Sequence, residues 1–336
     1  MIKNSGRRYF LRQAGAAMLM WPILRRVAWP IDVSAPPAVP KPFRGIFAIF
    51  QTPFRLDDEV DEEDLEREVS FCVRAGAPGL IWPQVASEFY ALSEEERRRV
   101  AEIILRAARG RSAVVIGVQA ANRALAVSFA RHAEEKGADA VISLPPFLGP
   151  VTLDAAADYF RTLAGATKLP TFIQNTGGQW GPALPTSLVI QLAKENHRLS
   201  YVKEEVAPVV HRLEEYARSG VMTGIFSGDG GRNLFNELAR GSSGTTPACG
   251  FVDVDVQIYN LATTGKTEEA RALFKQLLPM KNLQETYGLA FAKRVLVRRG
   301  VFKTAKLRGV TGTTLDSMDE QDLDIWWREL APYLKV

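Results

Sequence analysis

"AVVIGVQAANRALAVSFARHAEEKGADAVISLPP", Ala113–Pro146, holds the unit that decides the fold. Its first eight residues are apolar except for one glutamine, too short a run for a helix and apolar on both faces. That is how a strand buried on both sides reads. "RALAVSFARHAEEKG" then carries helical spacing and stops at Gly137. "AVISLPP", from Ala140, repeats the apolar run. Strand, helix and strand in this order form a βαβ crossover, which joins two parallel strands.

The same unit recurs along the chain. Apolar runs open at Gly45, Gly79, Ala113, Ala140, Pro170, Tyr201, Gly224 and Gly244, spaced 20 to 34 residues apart. Helix signals lie between them. "DLEREVSFCVRAG" ends at Gly76, and Ser93 with Glu96 forms a capping box before the helix that ends at Gly110. Eight such units predict an α/β fold, a (β/α)8 TIM barrel with additional C-terminal helices after about residue 254. The alternative, an open doubly wound sheet, would carry a glycine fingerprint after the first strand, and "FQTPFRLDDEV" has none. The expected organisation is a leader and Pro-rich linker over residues 1–42, a barrel core over 43–253, and a C-terminal helical part over 254–336 packed on the barrel.

Charge adds a boundary. The chain of 336 residues has a formal charge of +4, but residues 1–42 hold seven Lys/Arg and one acid. The remaining 35 basic and 37 acidic residues leave residues 43–336 at −2. No basic patch of the kind that binds nucleic acid is visible, so no nucleic-acid partner is expected. The leader places Arg7 and Arg8 before Phe10, Leu11 and a modest apolar run. That order resembles a twin-arginine export signal and implies a periplasmic or exported protein; a chance Arg-Arg pair is the alternative. Arg25 and Arg26 close the run, and "VSA" at Val33–Ala35 is followed by Pro36, which leaves open removal of the leader or its retention as a tether. Beyond that signal or tether no membrane partner is expected, since the run is too short to span a bilayer. Cys72 in a helix and Cys249 in a strand are expected to be buried small hydrophobes, not a disulfide. His132, His197 and His211 lack metal-ligand spacing, so no metal site is expected.

In a (β/α)8 barrel, chemistry sits at the C-terminal strand ends. Those ends carry Gln51–Thr52, Gln84, Gln119, Pro145–Pro146, Gln174–Asn175, Lys203–Glu205, Ser227–Asp229 and Thr245–Thr246. Lys203 is the only cation among them. An amine in a dry pocket loses its proton more readily and can attack a carbonyl. The plainer alternative is a lysine snorkelling to water beside Glu204.

Several stretches, in order, resemble one family. "TPF" (Thr52–Phe54) ends the first strand, "SEFYALSEEE" (Ser87–Glu96) follows the second, and "VKE" (Val202–Glu204) lies on the sixth. "SGDG" (Ser227–Gly230) ends the seventh, and "GSSGTTPACGFV" (Gly241–Val252) spans the eighth. From about Gly45 to Leu307 the chain is similar to the dihydrodipicolinate synthase / N-acetylneuraminate lyase family of Schiff-base aldolases and lyases. The resemblance implies that Lys203 condenses with a small-molecule 2-oxo acid and that no cofactor takes part. It implies substrate-binding roles for Thr52, Gln84, Val85, Ala86, Gln174, Asn175, Asp229 and Thr246, and a dimeric or tetrameric homo-oligomer.

The departures are as informative. The family's carboxylate-binding "GTTGE" reads Gln84-Val85-Ala86-Ser87-Glu88, so both hydroxyls are missing. Gln174 replaces the family's proton-shuttling tyrosine and cannot titrate. Gln179 replaces an arginine, and Phe147 and Leu148 stand where tyrosines are common. These changes argue against dihydrodipicolinate synthesis. Together with Val85 and Ala86, Phe147 and Leu148 suggest a more apolar pocket and an aromatic or otherwise apolar substrate rather than a sugar acid. Strand alternation gives Lys203 and Glu205 one face and turns Glu204 to the helices. Glu205 is then either a replacement proton shuttle or an ion-pair partner that blunts Lys203. Asp229 is a second shuttle candidate or the cap of a helix beginning near Gly230, and Tyr90 either reaches the pocket mouth or packs. Two functions stand open: a Schiff-base lyase, aldolase or dehydratase, and a ligand-binding barrel without turnover.

Overall fold

The computed structural model describes residues 43–309 and 314–336. The leader and its paired arginines, with the export reading, lie outside the described residues. Eight parallel strands close in sequence order into one barrel. They are β1 (Gly45–Ile49), β2 (Gly79–Trp82), β3 (Ala113–Gly117), β4 (Ala140–Ser143), β5 (Thr171–Asn175), β6 (Tyr201–Glu204), β7 (Gly224–Ser227) and β8 (Gly244–Thr245). The first helices are α1 (Glu62–Arg74), α2 (Glu94–Ala108), α3 (Arg123–Glu135), α4 (Leu153–Ala166) and α5 (Thr186–Glu195). Next come α6 (Val209–Ser219), α7 (Leu234–Ala239) and α8 (Val252–Thr263). Two more follow, α9 (Thr267–Arg298) and α10 (Ser317–Leu330). α8 comes directly after β8 and packs on β1, which makes it the barrel's own eighth helix. The helices additional to the barrel are therefore α9 and α10, a little later than expected. Among the described residues no helix is long and apolar enough to cross a membrane.

The capping box at α2 is present, with Ser93 accepting from the Glu96 N–H and Glu96 accepting from the Ser93 N–H. β5 opens at Thr171, one residue after the expected Pro170, because proline has no N–H for the ladder. The barrel closes where Gly45 pairs with Gly244. A Cβ on Gly244 would overlap the Gly45 carbonyl, so only glycine permits this seam.

Alternation sorts the side chains. Phe47 and Ile49 on β1, Phe172 on β5, Tyr201 on β6 and Phe226 on β7 point into the barrel and cluster together. Their rings plug its lower half: Phe47 meets Phe226 edge-on at 4.9 Å, and Phe172 stacks on Tyr201 at 4.7 Å. Their neighbours Ala48, Ile173, Val202 and Ile225 join the core between strands and helices. The next inward positions above the plug are Gln174 and Lys203, register partners on β5 and β6. The plug thus forms an apolar floor and leaves the first polar layer to begin at the lysine.

Candidate active site

A cavity of about 460 Å3 opens above the plug. Lys203 stands in its wall, 3% exposed, with Gln84, Gln174 and Glu205. Lys203 Nζ lies 2.9 Å from Glu205 Oε1 and donates to Gln84 Oε1 at 3.3 Å. Gln174 Nε2 donates to the same Glu205 oxygen at 2.8 Å. One carboxylate oxygen therefore bridges an ammonium and an amide. Glu205 occupies this place because Gly228, at the end of β7, has no side chain: a Cβ there would overlap Glu205 Cγ. The arrangement sets an amine and a carboxylate in direct contact in the cavity wall.

The outer face of the same strands is wired differently. Glu204 Oε2 accepts from Tyr216 Oη at 2.7 Å and Asn175 Nδ2 at 3.0 Å, and lies 3.1 Å from Arg212 Nε. Its other oxygen accepts from the N–H groups of Glu205 and Val206. Burial raises the Glu204 carboxyl above its ordinary range, against the pull of Tyr216 and Arg212. Asn175 also exchanges two hydrogen bonds with the Leu184 backbone. This network braces β5 and β6 against the helix layer.

The far wall is polar. Asp229 pairs with Arg232 and accepts from Asn233 Nδ2 at 2.6 Å, and Arg232 Nη1 reaches Glu285 at 3.2 Å. Lys281 lies 2.8 Å from Asp255, both almost fully buried. Burial raises the Asp255 carboxyl, and Lys281 opposes the shift. α9 breaks at Gly288, whose φ of +53° and ψ of −123° are not helical. Lys281, Gln284, Gly288 and Leu289 of α9 all lie in the cavity wall. Behind β7, the buried Glu237 accepts from Ser227 Oγ at 2.7 Å and has no partner for Oε2 among the described residues. Burial pushes its carboxyl up to about 7, only partly offset by Ser227.

The model of the dihydrodipicolinate synthetase family matches residues 42–322, and the eight-stranded barrel with its lysine on β6 is the architecture those motifs foretold. The chain belongs to that family. Relatives within it are distant. L-2-keto-3-deoxyarabonate dehydratase of Azospirillum brasilense is 26% identical over 262 residues, covering 76% of this chain and 84% of that protein. The probable 2-dehydro-3-deoxy-D-pentonate aldolase YjhH of Escherichia coli is 26% identical over 244 residues, 71% of this chain and 81% of its own. The crystal structure of dihydrodipicolinate synthase from Rhodopseudomonas palustris superposes with a TM-score of 0.77 at 25% identity, over 86% of this chain and 98% of that one.

Within this divergent member, the residues expected at the site divide. Gln84, Val85, Ala86, Gln174, Lys203, Glu205, Asp229 and Thr246 all line the cavity. Thr52 and Asn175 do not. Thr52 donates to the Ser87 carbonyl at 2.6 Å and accepts from Trp82 Nε1 at 3.0 Å, so it shapes the turn after β2. Both positions share the parity of outward-facing residues (Ala48 with Thr52, Ile173 with Asn175), a signal already present in strand alternation. Asp229 caps no helix, since α7 starts only at Leu234 and Asp229 instead holds Arg232 and Asn233. Of the four apolar replacements, Val85 and Ala86 line the cavity and Phe147 and Leu148 do not. Phe147 packs with Phe89 and Trp180, and Leu148 is 63% exposed. Tyr90 stacks on Trp180 in that cluster, likewise outside the wall.

Cys249 lies in the turn after β8 rather than in a strand, and both thiols are free and buried. Its Sγ is 2.8 Å from Glu68 Oε1, and burial holds that carboxyl well above its ordinary range. Among the described residues no group of three or more His, Cys, Asp or Glu is placed to hold a metal ion. Arg232, Lys281 and Gln284 were missed from sequence. Strand-end logic stops short of Arg232, in the segment between β7 and α7, and does not reach Lys281 and Gln284 on α9, the helix added after the barrel.

Proposed function

We propose that this protein is a class I lyase or aldolase that binds a 2-oxo acid as an imine on Lys203, with Glu205 carrying the protons. The observation that supports it is the 2.9 Å contact between Lys203 Nζ and Glu205 Oε1 inside the cavity. Glu205 takes one proton from the ammonium, and the freed amine attacks the C2 carbonyl to form a carbinolamine. Glu205 then returns the proton to the departing hydroxyl, so water leaves and the C=N bond forms. The iminium draws electrons from the substrate chain, which permits loss of a carbon or oxygen leaving group. The substrate carboxylate fits at the short 3-10 turn Val85–Ser87, whose first N–H groups have no acceptor within the turn. Those N–H groups stand in for the missing hydroxyls. Both the dehydratase of Azospirillum brasilense and YjhH are named for 2-oxo-3-deoxy acids, in keeping with this substrate class.

A second reading draws on the same contact. Lys203 is already paired and, among the described residues, no tyrosine lines its cavity, which would suit a barrel that binds its ligand without turnover. Borohydride reduction with a panel of 2-oxo acids, read by intact mass, decides between them. The expected result is a substrate-dependent mass gain that Lys203→Ala abolishes, together with product when borohydride is omitted. An adduct without product supports the binding barrel, and no adduct with any acid removes the imine altogether.

A further inference from the structure

Gln174 is 1% exposed and lines the cavity beside the nucleophile, yet its Oε1 has no hydrogen-bond partner among the described residues. Its orientation is set by chemistry. Nε2 faces Glu205 Oε1 at 2.8 Å, and turning the amide over would set oxygen against a carboxylate. The amide oxygen therefore stays directed away from Glu205. A buried acceptor with nothing to accept is costly to the complex unless the bound molecule supplies a donor.

From this we infer that Gln174 is a specificity-determining residue whose Oε1 accepts a hydrogen bond from a hydroxyl close to the imine carbon. This rests on the imine reading above and narrows it to hydroxylated 2-oxo acids. Gln174 and Lys203 are register partners on adjacent strands, and Nε2 and Nζ touch the same Glu205 oxygen at 2.8 and 2.9 Å, which holds the amide close to the lysine nitrogen. A donor that close to the lysine nitrogen sits on C3 or C4 of the oxo acid. The amide reads the hydroxyl but cannot take its proton, because an amide does not titrate in this range. Recognition and proton transfer, which one tyrosine could combine, are thus divided between Gln174 and Glu205. A 2-oxo acid lacking the hydroxyl leaves Oε1 unpaired and shut off from solvent, and is penalised for that reason.

The test is paired borohydride trapping with 2-oxopentanoate and 4-hydroxy-2-oxopentanoate, and with pyruvate and 3-hydroxypyruvate. Adducts of any cleavage product are counted with their parent. In the wild-type chain, half-saturating concentrations should favour one hydroxylated member roughly tenfold to a hundredfold. Gln174→Met, similar in length but with no strong acceptor, should bring that ratio near one while still trapping the unhydroxylated acid. Gln174→Leu serves as a second variant should the first fold poorly, as checked by circular dichroism. Equal trapping of both members of each pair by the wild type overturns this inference and leaves the imine intact. A preference that survives both substitutions overturns it too. No trapping of any acid removes the imine reading, and the inference with it.

Discussion

Gln174 and Lys203 on one side, and Asn175 and Glu204 on the other, are chain neighbours on the same two strands with opposite surroundings. On the outer face, the two Glu204 oxygens accept from four donors of side chains and backbone, and Arg212 Nε lies 3.1 Å away as an ion-pair partner. On the inner face a single Glu205 oxygen is shared by Lys203 and Gln174, and the Gln174 oxygen is unpaired. Both oxygens of Glu204 are thus satisfied without a ligand, whereas the inner face leaves the Gln174 acceptor for a ligand to complete. Saturation marks a brace, and incompletion beside a cavity marks a site.

Three changes sharpen or break that contrast. Glu205→Gln keeps the shape of the inner face but removes its titrating group. Turnover of a trapped 2-oxo acid should fall by roughly 10^2 to 10^4, with the melting temperature little changed. Steady-state rates near wild type would leave Glu205 as only an ion-pair partner. Glu204→Ala acts on the other face, stranding Arg212 and Tyr216 behind the strands. It should cost about 3–5 kcal/mol in chemical denaturation, as expected when one partner of a buried pair is removed. A stability equal to wild type would contradict the bracing role.

The smallest effect tests a second outer carboxylate that is only half served. Glu237 has its folded value raised to about 7 from 4.5, so between these the native state holds more proton than the unfolded chain. Its contribution is full below about pH 4.5 and is lost as pH rises through about 7, a change of at most about 3 kcal/mol. Glu237→Gln mimics the neutral form and should flatten that part of the stability–pH curve. An unchanged slope would place the titration elsewhere.

Much of this was legible in the residues themselves. The apolar runs at Gly45, Gly79 and Ala113 begin the observed strands because a strand buried on both faces has few other ways to read. Alternation separated Lys203 and Glu205 from Glu204, and the same rule applied to Thr52 and Asn175 would have turned them outward. Local periodicity therefore determined the eightfold barrel, the lysine on its sixth strand and the inward face of Glu205. Only tertiary structure decided what those side chains meet. The overlap of Glu205 with the vacant Cβ of Gly228, the sharing of one oxygen between Lys203 and Gln174, and the entry of Lys281 from α9 are contacts between segments distant in sequence. A repeat pattern carries the direction of a side chain along its own strand. It carries nothing about the neighbour that direction will find, because that depends on how the strands close and where the added helix comes to rest.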